Sequence, residues 1–205
     1  MDVNSLTFKE GEAVDKTKQI GFMATRHGVV SFGRGIVVEN SSHWGGARAE
    51  WVWRCAHGMV RAARADKWRV SIVLTTDERI RSLNREWRGI DSATDVLSFA
   101  TVGDDLVRPG HLPPSRSAAA LATTSVCRDG AAAWPDLGQI VISAPYVEAT
   151  CDEWSEEDLD AALQRTIAHG LCHLLGFDHT TDRQHVLMQR AERALLGGGA
   201  AKTLD

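Results

Sequence analysis

The chain reads as a single α+β domain. Short runs rich in Val and Ile that suit strands are interspersed with longer stretches whose apolar residues recur three and four apart, the spacing of amphipathic helices. Its 205 residues suffice for one substantial core and are too few to lead one to expect two large domains. Four strands are visible among the helices.

Residues 1–34 show little hydrophobic periodicity and read as a loosely ordered N-terminal extension. The domain, residues 35–196, opens with Ile36, Val37 and Val38 as a first strand. Ala47 to Asp66 then places Trp51, Val52, Cys55, Met59 and Ala62 at helical spacing. Trp68 to Thr75 forms a second strand through Val70, Ile72, Val73 and Leu74. Thr76 stands to cap the next helix, with Asp77 and Glu78 favourably placed in its first turn and Ile80, Leu83 and Trp87 on its buried face. Thr94 to Thr101 alternates as a third strand, and Gly138 to Ser143 supplies a fourth. Residues 102–136, rich in Ala, Ser, Pro and Gly, are too long for an ordinary connection and read as a loop insertion. Ser155 and Asp158 make a variant capping box for a long helix that buries Leu159, Leu163, Ile167, Leu171 and Leu174. Asp182 stands to cap a last helix carrying Val186, Leu187, Ala191 and Leu195, and the glycines from Gly197 lead into a disordered tail, residues 197–205.

A net charge of -4 is wrong for a protein that coats nucleic acid nonspecifically, so any RNA contact must be a local basic patch. No apolar run is long enough to span a membrane. Cys55, Cys127, Cys151 and Cys172 form no C-x-x-C pair, and no secretory signal is apparent, so a reducing, cytoplasmic setting is expected; a mitochondrion or other organelle stays open.

The chemistry concentrates in H-G-L-C-H-L-L-G-F-D-H. His169 and His173 lie four apart on one helix face, and Gly176 can end the helix and return the chain so that His179 joins them. Three neutral imidazoles suit Zn2+, with nickel or another divalent ion as alternatives, and three protein ligands leave a fourth position for water, as in catalytic sites. Cys172 points away on the helical wheel and reads as a small packed apolar residue. A zinc peptidase needs a glutamate directly after the first histidine as proton shuttle; Gly170 stands there, which shifts the expectation from a zincin-type metallopeptidase toward phosphate chemistry. Asp178 either orients a histidine, acts as a base, or merely shapes the turn. His185 reads as a surface residue.

Cations are available nearby in sequence. Arg81, Arg85 and Arg88 recur along one face of a helix, where a guanidinium can grip phosphate at two points, although a solvated charged face is the ordinary reading for Arg81 and Arg85. Arg54, Arg61 and Arg64, with Lys67 and Arg69 beyond, offer a second basic surface that either tracks an RNA backbone or simply faces solvent. Trp51, Trp68 and Trp87 fit core positions better than base-stacking ones.

Three blocks together resemble the YbeY family of metal-dependent endoribonucleases: the histidine motif, L-N-R-E-W-R-G-I-D-S-A-T-D-V-L-S-F from Leu83 to Phe99, and L-G-Q-I-V-I-S from Leu137 to Ser143. Met188 and Glu192 also resemble that family's final helix. The resemblance implies a zincin-like fold with a small mixed four-stranded sheet packed by helices, zinc on His169, His173 and His179, and a catalytic part for Arg88. It implies single-strand-specific cleavage in small-subunit rRNA maturation and ribosome quality control, with single-stranded rRNA and the small ribosomal subunit and its proteins as partners. Two departures stand out: Gln139 replaces a family aspartate, keeping hydrogen bonding but losing charge, and the insertion after Thr101 exceeds that of bacterial members. A ribosome-assembly factor with a mainly structural zinc is the alternative.

Overall fold

The computed structural model describes residues 5–6, 29–31, 35–101, 135–151 and 155–197. In chain order the elements are β1 (Ser5–Leu6), β2 (Val29–Ser31), β3 (Ile36–Asn40), α1 (Gly46–Ala62), β4 (Arg69–Thr75), α2 (Asp77–Arg88), β5 (Val96–Ala100), β6 (Asp136–Ser143), α3 (Ala144–Ala149), α4 (Glu156–Leu174) and α5 (Asp182–Leu196).

The four expected strands form the body of one mixed sheet, with β3 parallel to β4, β4 parallel to β6, and β5 antiparallel to β6. The short β1 and β2 extend its two edges, giving the order β1-β5-β6-β4-β3-β2. Both come from the N-terminal extension; the rest of that extension lies outside the described residues. So do residues 102–134 of the insertion and the tail beyond Gly197, whereas Asp136 already belongs to β6.

Strand alternation divides the core in two. Ile36, Val38, Val70, Ile72, Ile140 and Ile142 face α1 and α4, with Val52, Met59, Leu163, Ile167 and Leu171 packed on them. Leu97, Phe99 and Val141 face the opposite side, where α2 covers them with Ile80 and the half-buried Leu83 and Trp87. Trp68 is a core residue, as expected, and Trp51 packs at the core's margin.

Several boundaries differ from the sequence expectation for local reasons. α1 ends at Ala62, four residues early, because Arg64 adopts φ 56, outside the helical region. Thr76 occupies the N-cap of α2 but its side chain makes no capping bond. The cap of α5 is Thr181, not Asp182: its hydroxyl accepts from the Gln184 backbone N–H, and the Gln184 side chain accepts from the Thr181 N–H, a complete capping box. The helix packs through Met188, Ala191 and Leu195, three and four residues apart on one face, which leaves Val186 and Leu187 facing outward. Ser155 caps α4 as expected, accepting from the Asp158 N–H at 3.1 Å. The short α3 had not been anticipated, although Pro145 near its start is a usable signal.

Candidate metal centre

α4 is pressed onto the sheet where side chains are missing. An ideal Cβ on Gly170 would lie 2.7 Å from Ile140 Cγ2 and 3.1 Å from Ser98 Oγ. Gly138 of β6 has φ 138, and a Cβ there would meet the Phe99 carbonyl oxygen at 2.2 Å and Leu174 Cδ2 at 3.0 Å. With that face of α4 against the sheet, His169 and His173 emerge beside it. The helix ends in a Schellman turn: Gly176, at φ 81, donates to the His173 carbonyl, and Phe177 donates to that of Cys172. This turn carries His179 back to the other two.

The three ring ligand atoms lie within 4.8 Å of one another. The Nε2 atoms of His169 and His173 are 3.2 Å apart. Their other nitrogens fix what those atoms are. His169 Nδ1 is 2.7 Å from the Glu192 carboxylate, and His173 Nδ1 is 3.1 Å from the Phe177 carbonyl oxygen. Both partners are acceptors, so each Nδ1 carries a proton, and in the neutral imidazole each Nε2 then presents a lone pair. Two lone pairs facing each other repel unless a cation sits between them. Zn–N bonds of about 2.0–2.1 Å at a tetrahedral angle put two nitrogens about 3.3 Å apart, close to the separation found, so the donor set fits a divalent cation.

His173 is held neutral: burial above all, then the neighbouring His169 and His179 and finally the charge of Arg88, offset in part by the Phe177 carbonyl, push its pKa down to about 3. An unprotonated imidazole is the ligand form. Cys172 is fully buried and its thiol is pushed well above its usual range, chiefly by burial and then by the Glu192 charge, consistent with a packing role.

Around this centre the expected residues separate. Arg88, at the C-terminal end of α2, is near enough for its charge to bear on His173, and its buried Nε has no hydrogen-bond partner among the described residues. Arg81 is engaged elsewhere, in a two-point pair with Asp91 at 2.8 and 3.0 Å, and the exposed Arg85 lies 4.0 Å from the same carboxylate. The three arginines are therefore not one phosphate-facing row. Arg54, Arg61 and Arg64 are exposed on and just beyond α1, with Arg54 beside Glu50 at 3.7 Å. Asp178 accepts from the backbone N–H of His179 at 2.8 Å, a turn contact. His185 is exposed and pairs with Gln189. Gln139 lies opposite Ser71 and Phe99 in the sheet; since Ile140 faces Gly170, Gln139 faces the other side, with its amide nitrogen 3.5 Å from Ser71 Oγ. Glu192 as the partner of His169 was not anticipated. The sequence marked it only through the resemblance of Met188 and Glu192 to the family's final helix, which assigned it no partner.

Fold and site together define an α+β protein in which three clustered histidines could hold a metal ion, with Arg88 at the end of a neighbouring helix. The family model described as Endoribonuclease YbeY matches residues 39–198, and the chain belongs to that family. The Endoribonuclease YbeY of Anaeromyxobacter sp. (strain Fw109-5) is 38% identical over 152 residues, 72% of this chain and 65% of that protein. That of Rhizobium etli (strain CIAT 652) is 35% identical over 127 residues, 62% of this chain and 60% of that protein. That of Anaeromyxobacter dehalogenans (strain 2CP-C) is 37% identical over 171 residues, covering 81% and 75%. The matches thus span 65% and 60% of the first two relatives' lengths. A Thermotoga maritima protein of known solution structure aligns over 83% of this chain and 99% of its own, at 18% identity and a TM-score of 0.45. No helix among the described residues is long and apolar enough to cross a membrane.

Proposed function

We propose that this protein is a zinc-dependent endoribonuclease that cleaves single-stranded rRNA during small-subunit rRNA maturation and ribosome quality control. The observation that carries the reading is the pair of lone-pair-bearing Nε2 atoms 3.2 Å apart, with His179 completing the donor set, in a chain that belongs to the YbeY family. His169, His173 and His179 hold the cation. Once bound, it supplies Lewis acidity, making water a stronger nucleophile and withdrawing charge from a phosphoryl oxygen.

The protein's own residues do the rest. Glu192 and the Phe177 carbonyl keep the protons of two imidazoles on Nδ1, away from the ligand position. Arg88, with its unpartnered Nε, offers a second positive charge where negative charge develops on the phosphate. Gly170 leaves no room for the glutamate that a peptidase of this motif uses, and this disfavours peptide hydrolysis.

The test is cleavage of a single-stranded rRNA fragment by the purified chain, with bound metal quantified. His173→Ala should lose both metal and cleavage. Arg88→Ala should keep its zinc and lose about 100-fold or more in cleavage rate, the usual effect of deleting a charge-stabilising group. Stoichiometric zinc with no cleavage by the wild-type chain would overturn the nuclease reading in favour of a ribosome-assembly factor.

A further inference from the structure

Glu192 belongs to α5, a helix with no metal ligand of its own, yet its carboxylate reaches across to His169 Nδ1 at 2.7 Å. The contact is built rather than incidental. The capping box at Thr181 fixes where α5 begins, and Met188, Ala191 and Leu195, buried against the core that α4 shares, fix its rotation. Glu192 projects beside that seam, three-quarters covered.

The two partnered imidazoles are not equivalent. His173 leans on a neutral carbonyl supplied by its own helix-ending turn, whereas His169 leans on a carboxylate brought by another element. A carboxylate on Nδ1 raises the electron density at Nε2, fixes the tautomer and limits rotation of the ring. We infer that Glu192 is a positioning residue for the metal centre, holding His169 in its ligating state and making α5 part of the site although it contributes no ligand. This rests on the metal reading proposed above.

The experiment is a competition titration of metal-stripped, full-length protein with Zn2+ against a chromophoric chelator, for wild type, Glu192→Ala and Glu192→Gln, with melting temperatures measured with and without zinc. Glu192→Ala should weaken zinc binding by about 10–100-fold. Glu192→Gln keeps an acceptor oxygen at the same place without the charge and should fall between it and wild type. The rise in melting temperature on adding zinc should shrink in the same order. A packing role would instead lower the melting temperature equally with and without zinc, leaving affinity unchanged; that result overturns the proposal. Should Glu192→Ala fail to fold, the isosteric Glu192→Gln decides it: zinc affinity equal to wild type would overturn it. Failure of the wild-type chain to bind zinc would reject the metal reading itself, an outcome distinct from a wild type that binds and variants that bind as well.

Discussion

At the scale of single residues, two glycines and a histidine set the centre. Gly170 is required by contact rather than by backbone angle: a methyl group there meets Ile140 and Ser98, which lie on two different strands. Gly170→Ala should therefore destabilise the fold by about 1–3 kcal/mol, the usual cost of overpacking, read as a lower midpoint in urea with an unchanged slope. Stability equal to wild type would show that α4 can lift from the sheet without cost. Gly176 works differently, since its φ of 81 is what turns the chain after α4. The same turn presents the Phe177 carbonyl to His173, so one backbone geometry both ends the helix and sets the tautomer of that imidazole.

At the scale of elements, α5 depends on its first turn. Thr181→Ala removes the hydroxyl that satisfies the Gln184 N–H and should cost about 1 kcal/mol, measured by thermal or urea unfolding of the metal-free protein. Asp182→Ala, one position further on, should cost less, because Asp182 is not the cap. This pair also illustrates what the sequence discloses. The four main strands, the long helix and the three histidines were legible because each rests on local chemistry: β-branched runs, a 3.6-residue period, and ligand spacing around a glycine. The cap of α5 was misplaced by one residue because Thr181 and Asp182 are both good capping residues, and only the reciprocal contact with Gln184 separates them. Separately, the buried face of α5 is Met188, Ala191 and Leu195, three and four residues apart, which leaves Val186 and Leu187 exposed. Side-chain pairs off any helical or strand spacing were illegible in kind: Glu192 with His169 on another helix, or Arg81 with Asp91 just past its own helix, cannot be read from any period. Gln139 stood out in the sequence, but only the register of β6 shows that it faces away from α4.

At the scale of the whole molecule, folding and the neutral state of His173 are coupled. In the unfolded chain this histidine takes up a proton near its ordinary pKa of 6.5, whereas in the fold it resists until about 3. Between those values the unfolded state binds the extra proton, so acidification favours unfolding. The metal-free protein should hold this contribution fully above pH 6.5 and lose it as pH falls toward 3, by at most about 1.4 kcal/mol per pH unit. Urea midpoints across that range for wild type and His173→Asn check it: the variant should show a shallower acid slope. An identical slope would mean that other groups account for acid unfolding.

The close seating of α4 on the sheet also bears on how this scaffold can change over generations. A carboxylate after the first histidine is one base change from a glycine, and that single step would bring the histidine motif close to that of a hydrolase of peptides. Here the route is blocked by neighbours: Ile140 and Ser98 would have to become smaller or move before a longer residue could be tolerated at position 170. Neither of those changes confers anything until the third is present, and an acidic side chain entering first would meet the sheet. Two motifs that differ by one residue are thus separated by a packing barrier, set here by the fit of a helix against two strands.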